Sequence, residues 1–421
     1  MHLSPAFVFL IQALLLIVVP FALWRAAGVR RVAPMVVVQI LFGIALGPSL
    51  LGRVAPEAWG TLFGPPALGP LVGLSWLAVV FFAFLTGLHL DVADMRGRGR
   101  AVAAVALSSM IVPTIAGTGA GAWVADAFPA MAGPAATPVL FAAGFGVCLG
   151  VTALPVLGAI LREMGLTATP LGTLALACAA VNDALLWVAL AALLALAAGG
   201  GGAEVAVALV GGAAMLAVLW GGVRPWLTRR LGDAPPVLDD ARLIGICGLL
   251  LLTAAVSEAV GLHYILGAFL AGTAVPKRLA AAVLARVEAV TTLVLLPFFF
   301  TLTGLKVTIT ADSPDLWTVF LLATAVTVAA KLLGSAIPAR LAGVPPADAW
   351  RLGALMPCKG LMEVVVLTVL LDAGILSPAG FSALVLMAVT VTALTQPMTQ
   401  LAAQLTGADT KTPLGRTAGF R

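Results

Sequence analysis

The chain has 421 residues, of which 62% are hydrophobic and only 10% are charged, with a formal net charge of +5. Soluble domains average about 25% charged residues, so this composition indicates a polytopic membrane protein and excludes an ordinary soluble enzyme. The apolar runs fill the chain almost end to end, which leaves no room for a separate nucleotide-binding or catalytic domain.

The hydrophobic runs predict an all-α protein with about thirteen membrane-spanning helices, since a helix needs roughly 20 apolar residues to cross a bilayer. The ninth run is short, and its boundary with the eighth is the least defined. In chain order the predicted spans are 5–24, 32–51, 69–90, 101–124, 137–161, 169–198, 203–223, 241–259, 262–275, 284–306, 316–341, 350–373 and 380–404.

The cysteines and histidines form no recognisable metal or disulfide pattern. All four cysteines fall inside predicted spans, and their spacing matches no zinc or haem motif. The three histidines are scattered along the chain. We therefore expect no disulfide, no histidine metal cluster and no cofactor.

Basic residues in the connectors predict the orientation of the chain in the membrane. With the N-terminus outside, the outside connectors carry only Arg53 and Lys306. This asymmetry favours an outside N-terminus, a cytoplasmic C-terminus and a short cytoplasmic tail over 405–421. The +5 charge is then a topology signal, and no nucleic acid partner is expected. The inside connectors and the tail carry Arg25, Arg30, Arg31, Arg96, Arg98, Arg100, Arg162, Arg224, Arg229, Arg230, Arg242, Lys277, Arg278, Arg286, Arg340, Arg351, Lys411, Arg416 and Arg421.

Two sequence echoes predict an internal repeat. FAFLTGLHL at 82–90 matches FFTLTGLKV at 299–307, and GIALG at 43–47 matches GAFLAG at 267–272 in the same order. Spans one to six and eight to thirteen would then form two six-helix repeats joined by the seventh span. Because a single span separates them, the repeats are inverted, as in many secondary transporters.

Asn182 and Asp183 lie in the middle of the sixth span, which is otherwise uncharged. A carboxylate at the centre of a membrane helix costs about 2.5–3.5 kcal/mol on insertion scales, so such residues usually serve a function. The alternative is a carboxylate that only locks two helices together.

Two spans are interrupted at corresponding positions of the proposed repeats. Thr152 and Pro155 lie within span five, and proline removes a backbone donor there. Half-helix ends exposed by such breaks can bind a cation or a charged side chain. The alternative is a pair of plain proline kinks. The second interruption, within span twelve, contains Pro357, Lys359, Gly360 and Glu363.

Three further ionisable residues lie deep in the predicted membrane region. Lys359 and Glu363 are four residues apart and could pair on one helix face, either in a structural or gating role or as ion ligands. Each charge could also neutralise a half-helix dipole. Lys331, in span eleven, could carry a proton, act as a counter-charge to Asp183, or anchor a helix crossing.

These residues resemble those of the monovalent cation:proton antiporter superfamily, on the branch that contains NapA-like and Kef-like sodium/hydrogen exchangers. The resemblance covers essentially 5–404. It rests on the segments VTALPVLGAILREMGL (151–166), AAVNDALLW (179–187), LGAFLAGTAVP (266–276), LPFFFTLTGLKV (296–307), AAKLLG (329–334) and CKGLMEVVVL (358–367).

The resemblance implies a single transporter unit over 1–404 with two groups of helices. A core ion-transport domain would come from about 101–198 and 316–404, with the two broken helices crossing beside the ion site. A dimerisation domain would come from about 5–90 and 241–306, with 203–223 as the linker. The resemblance also implies a homodimer that works by alternating access, without a cytoplasmic nucleotide-binding domain.

The resemblance assigns roles residue by residue. Asp183 matches the essential carboxylate that takes the monovalent cation or the proton, and Thr152 lies in the matching unwound segment. Lys331 matches the lysine that faces the site in electrogenic members. Many members of this branch have an aspartate where this chain has Asn182, and an arginine where it has Lys359. The Asn–Asp pair resembles the electroneutral branch, which usually has an arginine at the position of Lys331. The combination of Asn182 with Lys331 therefore leaves the stoichiometry open.

The predicted function is therefore exchange of Na⁺, K⁺ or Li⁺ for protons, with a role in pH homeostasis. An alternative is a proton-coupled carrier or channel-like pathway for another solute on the same fold. A non-transporting sensor or membrane enzyme is a further alternative, although no catalytic motif is evident. The alanine-, glycine- and arginine-rich composition is typical of a high-GC bacterium, so a bacterial inner membrane is the expected location.

Overall fold

A computed structural model describes residues 4–26, 35–89, 99–167, 169–197, 202–231, 238–260, 262–308 and 313–406. In these stretches the secondary structure is helical apart from an isolated bridge between Ala132 and Leu376, which confirms the predicted all-α class. In chain order the helices are α1 (Pro5–Ala26), α2 (Met35–Leu46), α3 (Leu51–Val54), α4 (Pro56–Phe63), α5 (Pro65–His89), α6 (Gly99–Ala127), α7 (Pro138–Gly150), α8 (Leu154–Glu163), α9 (Pro170–Ala197), α10 (Gly202–Ala217), α11 (Arg224–Leu231), α12 (Asp240–Ala259), α13 (Tyr264–Ala274), α14 (Lys277–Val290), α15 (Leu296–Lys306), α16 (Pro314–Leu341), α17 (Pro346–Leu355), α18 (Leu361–Asp372) and α19 (Pro378–Leu405).

Within the described residues, 10 helical segments are long and apolar enough to cross a membrane. The other predicted spans fall on shorter helices. Span nine is the 11-residue helix α13, while span five is the pair α7–α8 and span twelve is the pair α17–α18. The chain is thus a multi-pass membrane protein, and the number of thirteen spans stays a prediction.

Several boundaries differ from the predicted ones. Helix α2 ends at Leu46 because Gly47 and Pro48 follow, and proline cannot donate the next helical hydrogen bond. The short helices α3 and α4 then precede α5, which the hydrophobic pattern did not predict. Span ten begins earlier, at Lys277, because the charged helix α14 continues through a π-helical segment into α15.

The chain divides into two compact units, each built from separate stretches. The first comprises Met1–Ala27, Val38–Val92 and Trp187–Thr310. The second comprises Gly28–Val37, Ala93–Leu186 and Ala311–Arg421. The segment predicted as a linker, 203–223, belongs to the first unit. The roles of dimerisation and transport assigned from sequence remain predictions.

In the first unit, α5 and α13 approach each other through two glycines. A Cβ added at Gly87 would overlap the Phe269 carbonyl oxygen, and one added at Gly272 would overlap the Phe84 carbonyl oxygen. The contact therefore requires glycine on both helices, since each backbone lies where the other residue's side chain would be.

A second contact of the same kind joins α2 and α15. A Cβ at Gly43 would overlap the Thr301 carbonyl oxygen, and one at Gly304 would overlap the Ile40 carbonyl oxygen. Each glycine meets the carbonyl three residues before the opposing glycine, as in the contact between α5 and α13. The glycines are those of the two sequence echoes. The two contacts therefore have the same local geometry, although the sequence echo aligns Gly43 with Gly267 and not with Gly272, so the inverted repeat stays a prediction.

The second unit contains both broken helices. Helix α6 packs against α7 and α16, and α19 packs against α16, α17 and α18. A buried apolar cluster, which includes Val105, Leu157, Cys178, Ala339 and Leu355, lies among α6, α8, α9, α16 and α17. The polar residues described next are buried in the same unit.

Candidate functional site

The two predicted interruptions are regions of non-helical backbone. Residues 151–153 separate α7 from α8, and residues 356–360 separate α17 from α18. Pro155 lies in the first turn of α8, where a missing N–H is tolerated because that donor has no helical partner. Pro357 lies in the turn that follows α17. Both prolines are therefore at helix breaks and not inside a continuous helix.

The two breaks contact each other. The Thr152 hydroxyl donates a hydrogen bond of 2.8 Å to the Met356 carbonyl, and the Ala153 amide donates one of 3.1 Å to the Cys358 carbonyl. A side chain at Gly360 would overlap Val156 of α8, so glycine allows this close approach. Backbone groups in the two breaks lie outside the helical hydrogen bonds, and these contacts give them partners in the opposite break.

Lys359 and Glu363 form a fully buried ion pair at this crossing. The Lys359 ammonium lies 2.8 Å from the Glu363 carboxylate. It also donates to the Leu149 carbonyl at 3.1 Å and to the Cys148 carbonyl, both in the last turn of α7. Glu363 lies in the first turn of α18. Each charge thus lies at the helix end whose partial charge is opposite to its own.

Asn182 and Asp183, on α9, are buried to 1% and 0% exposure. The Asn182 amide nitrogen donates to the Ser109 hydroxyl at 3.0 Å and to the Thr152 hydroxyl at 3.3 Å. No described residue forms a hydrogen bond of full geometry with either carboxylate oxygen of Asp183 or with the Asn182 side-chain oxygen, although the Leu154 backbone amide, at the start of α8, lies close to the Asp183 carboxylate. Buried polar atoms rarely lack partners, so these three oxygens point to a ligand.

Lys331, on α16, reaches the same place from another direction. Its ammonium group is fully buried and donates to the Thr152 hydroxyl at 2.6 Å. Among the described residues it forms no ion pair with Asp183. Thr152 therefore joins Lys331, Asn182 and the second helix break at one hydroxyl group.

The donor set suits a proton or a monovalent cation. A carboxylate and an amide oxygen are hard oxygen ligands, and Asp183 can carry either a proton or a bound positive charge. The described parts of the chain contain no group of three or more His, Cys, Asp and Glu side chains that could hold a metal ion.

Three polar residues around the predicted site were not predicted from the sequence. Ser109 binds Asn182, and Thr392 makes hydrogen bonds of 3.1 and 2.7 Å with the Lys359 backbone. Ser335 lies one helical turn after Lys331, fully buried, and its hydroxyl has no partner among the described residues. A serine or threonine in an apolar helix is a weak signal, because its hydroxyl usually binds its own helix backbone.

Comparison with known proteins shows similarity along nearly the whole chain. The family described as "Sodium/hydrogen exchanger, transmembrane" matches residues 13–401. The chain is 31% identical over 392 residues to the Na(+)/H(+) antiporter NhaS4 of Synechocystis sp., covering 91% of this chain and 95% of that protein.

Longer relatives match over part of their length. Identity is 32% over 374 residues to Cation/H(+) antiporter 18 of Arabidopsis thaliana, covering 87% of this chain and 45% of that protein. It is 30% over 421 residues to K(+)/H(+) antiporter 1 of Saccharomyces cerevisiae, covering 94% and 46%. The chain thus spans about half the length of these relatives.

A solved structure shares the fold. The sodium proton antiporter MjNhaP1 from Methanocaldococcus jannaschii superposes with a TM-score of 0.62 at 13% sequence identity, covering 98% of this chain and 100% of that one. At this identity the likeness shows the antiporter fold alone.

Proposed function

Because the chain belongs to the sodium/hydrogen exchanger family, we propose that it is a secondary active transporter that exchanges a monovalent cation for protons across a membrane. The observation that carries this proposal is Asp183, a fully buried carboxylate with no side-chain hydrogen-bond partner and no ion-pair partner among the described residues. The relatives named as Na(+)/H(+) and K(+)/H(+) antiporters support the substrate class.

Asp183 is the shared site of the two substrates. A protonated carboxyl group is neutral and a poor cation ligand, whereas the ionised group attracts a cation that has shed its water. Na⁺, K⁺ or Li⁺ and the proton therefore compete for one side chain, and this competition couples the two fluxes. The unpartnered Asn182 oxygen would add a second ligand beside it.

The crossing of the broken helices stabilises the ion site. Lys359 and Glu363 stabilise the ends of α7 and α18, which brings Thr152 next to Asn182. In this proposal the two charges act structurally and are not ion ligands, because they bind each other and the backbone. Lys331 supplies a positive charge close to the site without occupying Asp183.

The transport cycle uses alternating access. We propose that the second compact unit, which contains Thr152, Asn182, Asp183 and Lys331, is the moving transport domain. The first unit would form a homodimer surface within the lipid. The location is a bacterial inner membrane, with the N-terminus outside and the C-terminus in the cytoplasm, as the distribution of basic residues predicts.

A flux assay tests the proposed function. Purified protein in proteoliposomes with an acid interior and a pH-sensitive dye is exposed to Na⁺, K⁺, Li⁺ and choline chlorides in turn. Alkalinisation with at least one metal cation and none with choline is the expected result. No response to any of the three cations would contradict cation exchange and would favour a carrier for another solute.

A further inference from the structure

Ser109 lies on α6, next to the ion site proposed above, and has no role so far. Its side chain is fully buried. Its hydroxyl lies 2.9 Å from the Ala106 carbonyl and 3.0 Å from the Asn182 amide nitrogen. A carbonyl oxygen can only accept, so the single hydroxyl hydrogen of Ser109 is used in the bond to Ala106. Toward Asn182, Ser109 can therefore only accept.

Thr152 is restricted in the same way. Its hydroxyl donates its one hydrogen to the Met356 carbonyl at 2.8 Å. It accepts from the Lys331 ammonium, which has no acceptor capacity. Toward the Asn182 amide nitrogen, at 3.3 Å, the Thr152 hydroxyl is thus also an acceptor. It has one donor and two acceptor positions, and all three are in use.

The two hydroxyls determine the orientation of the Asn182 amide. An NH₂ group has two hydrogens, and each finds one hydroxyl acceptor, on Ser109 and on Thr152. Turning the amide over would place its oxygen against two oxygens that have no hydrogen left to donate. The amide oxygen must therefore point away from both hydroxyls, and no described residue donates to it.

We propose that Ser109 is a positioning residue that holds the Asn182 amide oxygen as a ligand for the transported cation, beside Asp183. Ser109 does not touch the cation and acts only through Asn182. The inference rests on the proposed cation exchange at Asp183 and adds a specificity element to it. A proton bound on Asp183 does not need the amide oxygen, whereas a dehydrated cation gains one ligand from it.

The same arrangement explains why residue 182 is an amide here. A carboxylate at this position would place an acceptor oxygen, in place of the amide nitrogen, against two hydroxyls that are themselves acceptors. At least one hydroxyl would have to give up its carbonyl partner and rotate. The surroundings of residue 182 are thus matched to asparagine and not to aspartate.

A kinetic comparison of neighbouring serines tests the inference. Ser109→Ala, Ser109→Cys and Ser108→Ala are purified, and proton exchange is measured over a range of Na⁺, K⁺ and Li⁺ concentrations. Ser108→Ala is the matched control, because its hydroxyl binds the Gly334 carbonyl at 2.8 Å and makes no hydrogen bond to Asn182. The cation KM, the proton KM and kcat are determined for each variant.

The expected result is a change in the KM for the cation without a matching change in the KM for the proton. Ser109→Ala raises the cation KM about threefold to tenfold, in keeping with the loss of one buried hydrogen bond, while kcat and the proton KM stay within about twofold. Ser109→Cys, a weaker acceptor, falls between wild type and Ser109→Ala, and it carries the test if the alanine variant does not fold.

Three results would overturn the inference. Wild-type exchange with an unchanged cation KM in Ser109→Ala, or in Ser109→Cys if only that variant folds, removes the role of Ser109 and leaves the proposed function intact. An equal rise in KM in Ser108→Ala shows a general packing effect. No cation response in the wild-type protein itself overturns the proposed function, and the role of Ser109 falls with it.

Discussion

The Lys331 ammonium is hydrogen-bonded to the Thr152 hydroxyl at 2.6 Å and forms no ion pair with Asp183 in the described part of the chain. Lys331 therefore contacts the site through the hydroxyl of Thr152, which lies in the break between α7 and α8. Thr152 also binds Met356 and Asn182, so one hydroxyl connects helices α9 and α16 with both interruptions.

Removing the Thr152 hydroxyl should break this junction. Thr152→Val keeps the volume but leaves the Lys331 ammonium and the Met356 carbonyl without this partner. An unsatisfied buried group costs about 1–3 kcal/mol, so we expect a lower unfolding midpoint in detergent and at least a tenfold loss of exchange. Thr152→Ser retains the hydroxyl and should keep most of the thermal stability and most of the exchange activity. Equal behaviour of the valine and serine variants would show that the hydroxyl has no role.

The Lys359–Glu363 pair should behave as a coupled unit in stability measurements. Lys359→Met leaves a buried carboxylate without its partner, which costs about 3–5 kcal/mol in comparable cases. We expect a large fall in the unfolding midpoint for this variant. Adding Glu363→Leu should recover part of the loss, although the α7 carbonyls remain without the ammonium group. Additive losses in the double variant would argue against a coupled pair.

The glycine contacts in the first unit predict different effects on stability for alanine substitutions at two glycines of α5. Gly87→Ala on α5 should lower the unfolding midpoint, because the new methyl group meets the α13 backbone. Gly73→Ala, on the same helix, has no atom within 4 Å of the added Cβ. That control should be neutral or more stable, since alanine favours a helix over glycine by about 0.5–1 kcal/mol. An equal loss of stability in both variants would show that the effect of Gly87→Ala does not come from the contact between α5 and α13.

Asn182 predicts exchange of one cation for one proton. With a single carboxylate at the site, binding either substrate leaves the same net charge, so transport should not depend on membrane potential. Proteoliposomes with and without a K⁺–valinomycin potential should give equal initial rates of Na⁺- or Li⁺-driven exchange. A several-fold change in rate with potential would indicate electrogenic exchange and would assign charge movement to another group, with Lys331 as the first candidate.

Much of the fold could be predicted from the sequence because membrane helices have strong local signals. Length, apolarity and prolines predicted the helical class and the interruptions near Pro155 and Pro357. The short helices α3 and α4 were missed because they lie in a less apolar connector. The start of α14 was not predicted because its first turns carry charged residues, although the helix continues from them into the apolar segment.

The site was only partly predictable, because its hydrogen bonds join distant parts of the chain. Asp183 and Lys331 stand out in sequence, since a charge inside an apolar span is rare. Ser109 does not, because its importance depends on α6 lying beside α9, which no local pattern shows. Likewise, the sequence echoes indicated that Gly43 and Gly304 belong to repeats but not that they meet each other.

Asp183 is the residue on which the proposed exchange depends most, since it is the shared cation and proton site. The most direct test is exchange by Asp183→Asn in proteoliposomes with Na⁺, K⁺ and Li⁺, alongside wild type and with folding checked by gel filtration and unfolding midpoint. If Asp183 is this site, the variant folds but shows no cation-dependent proton flux. Coupled exchange at a rate comparable to wild type in this folded variant would contradict this role of Asp183.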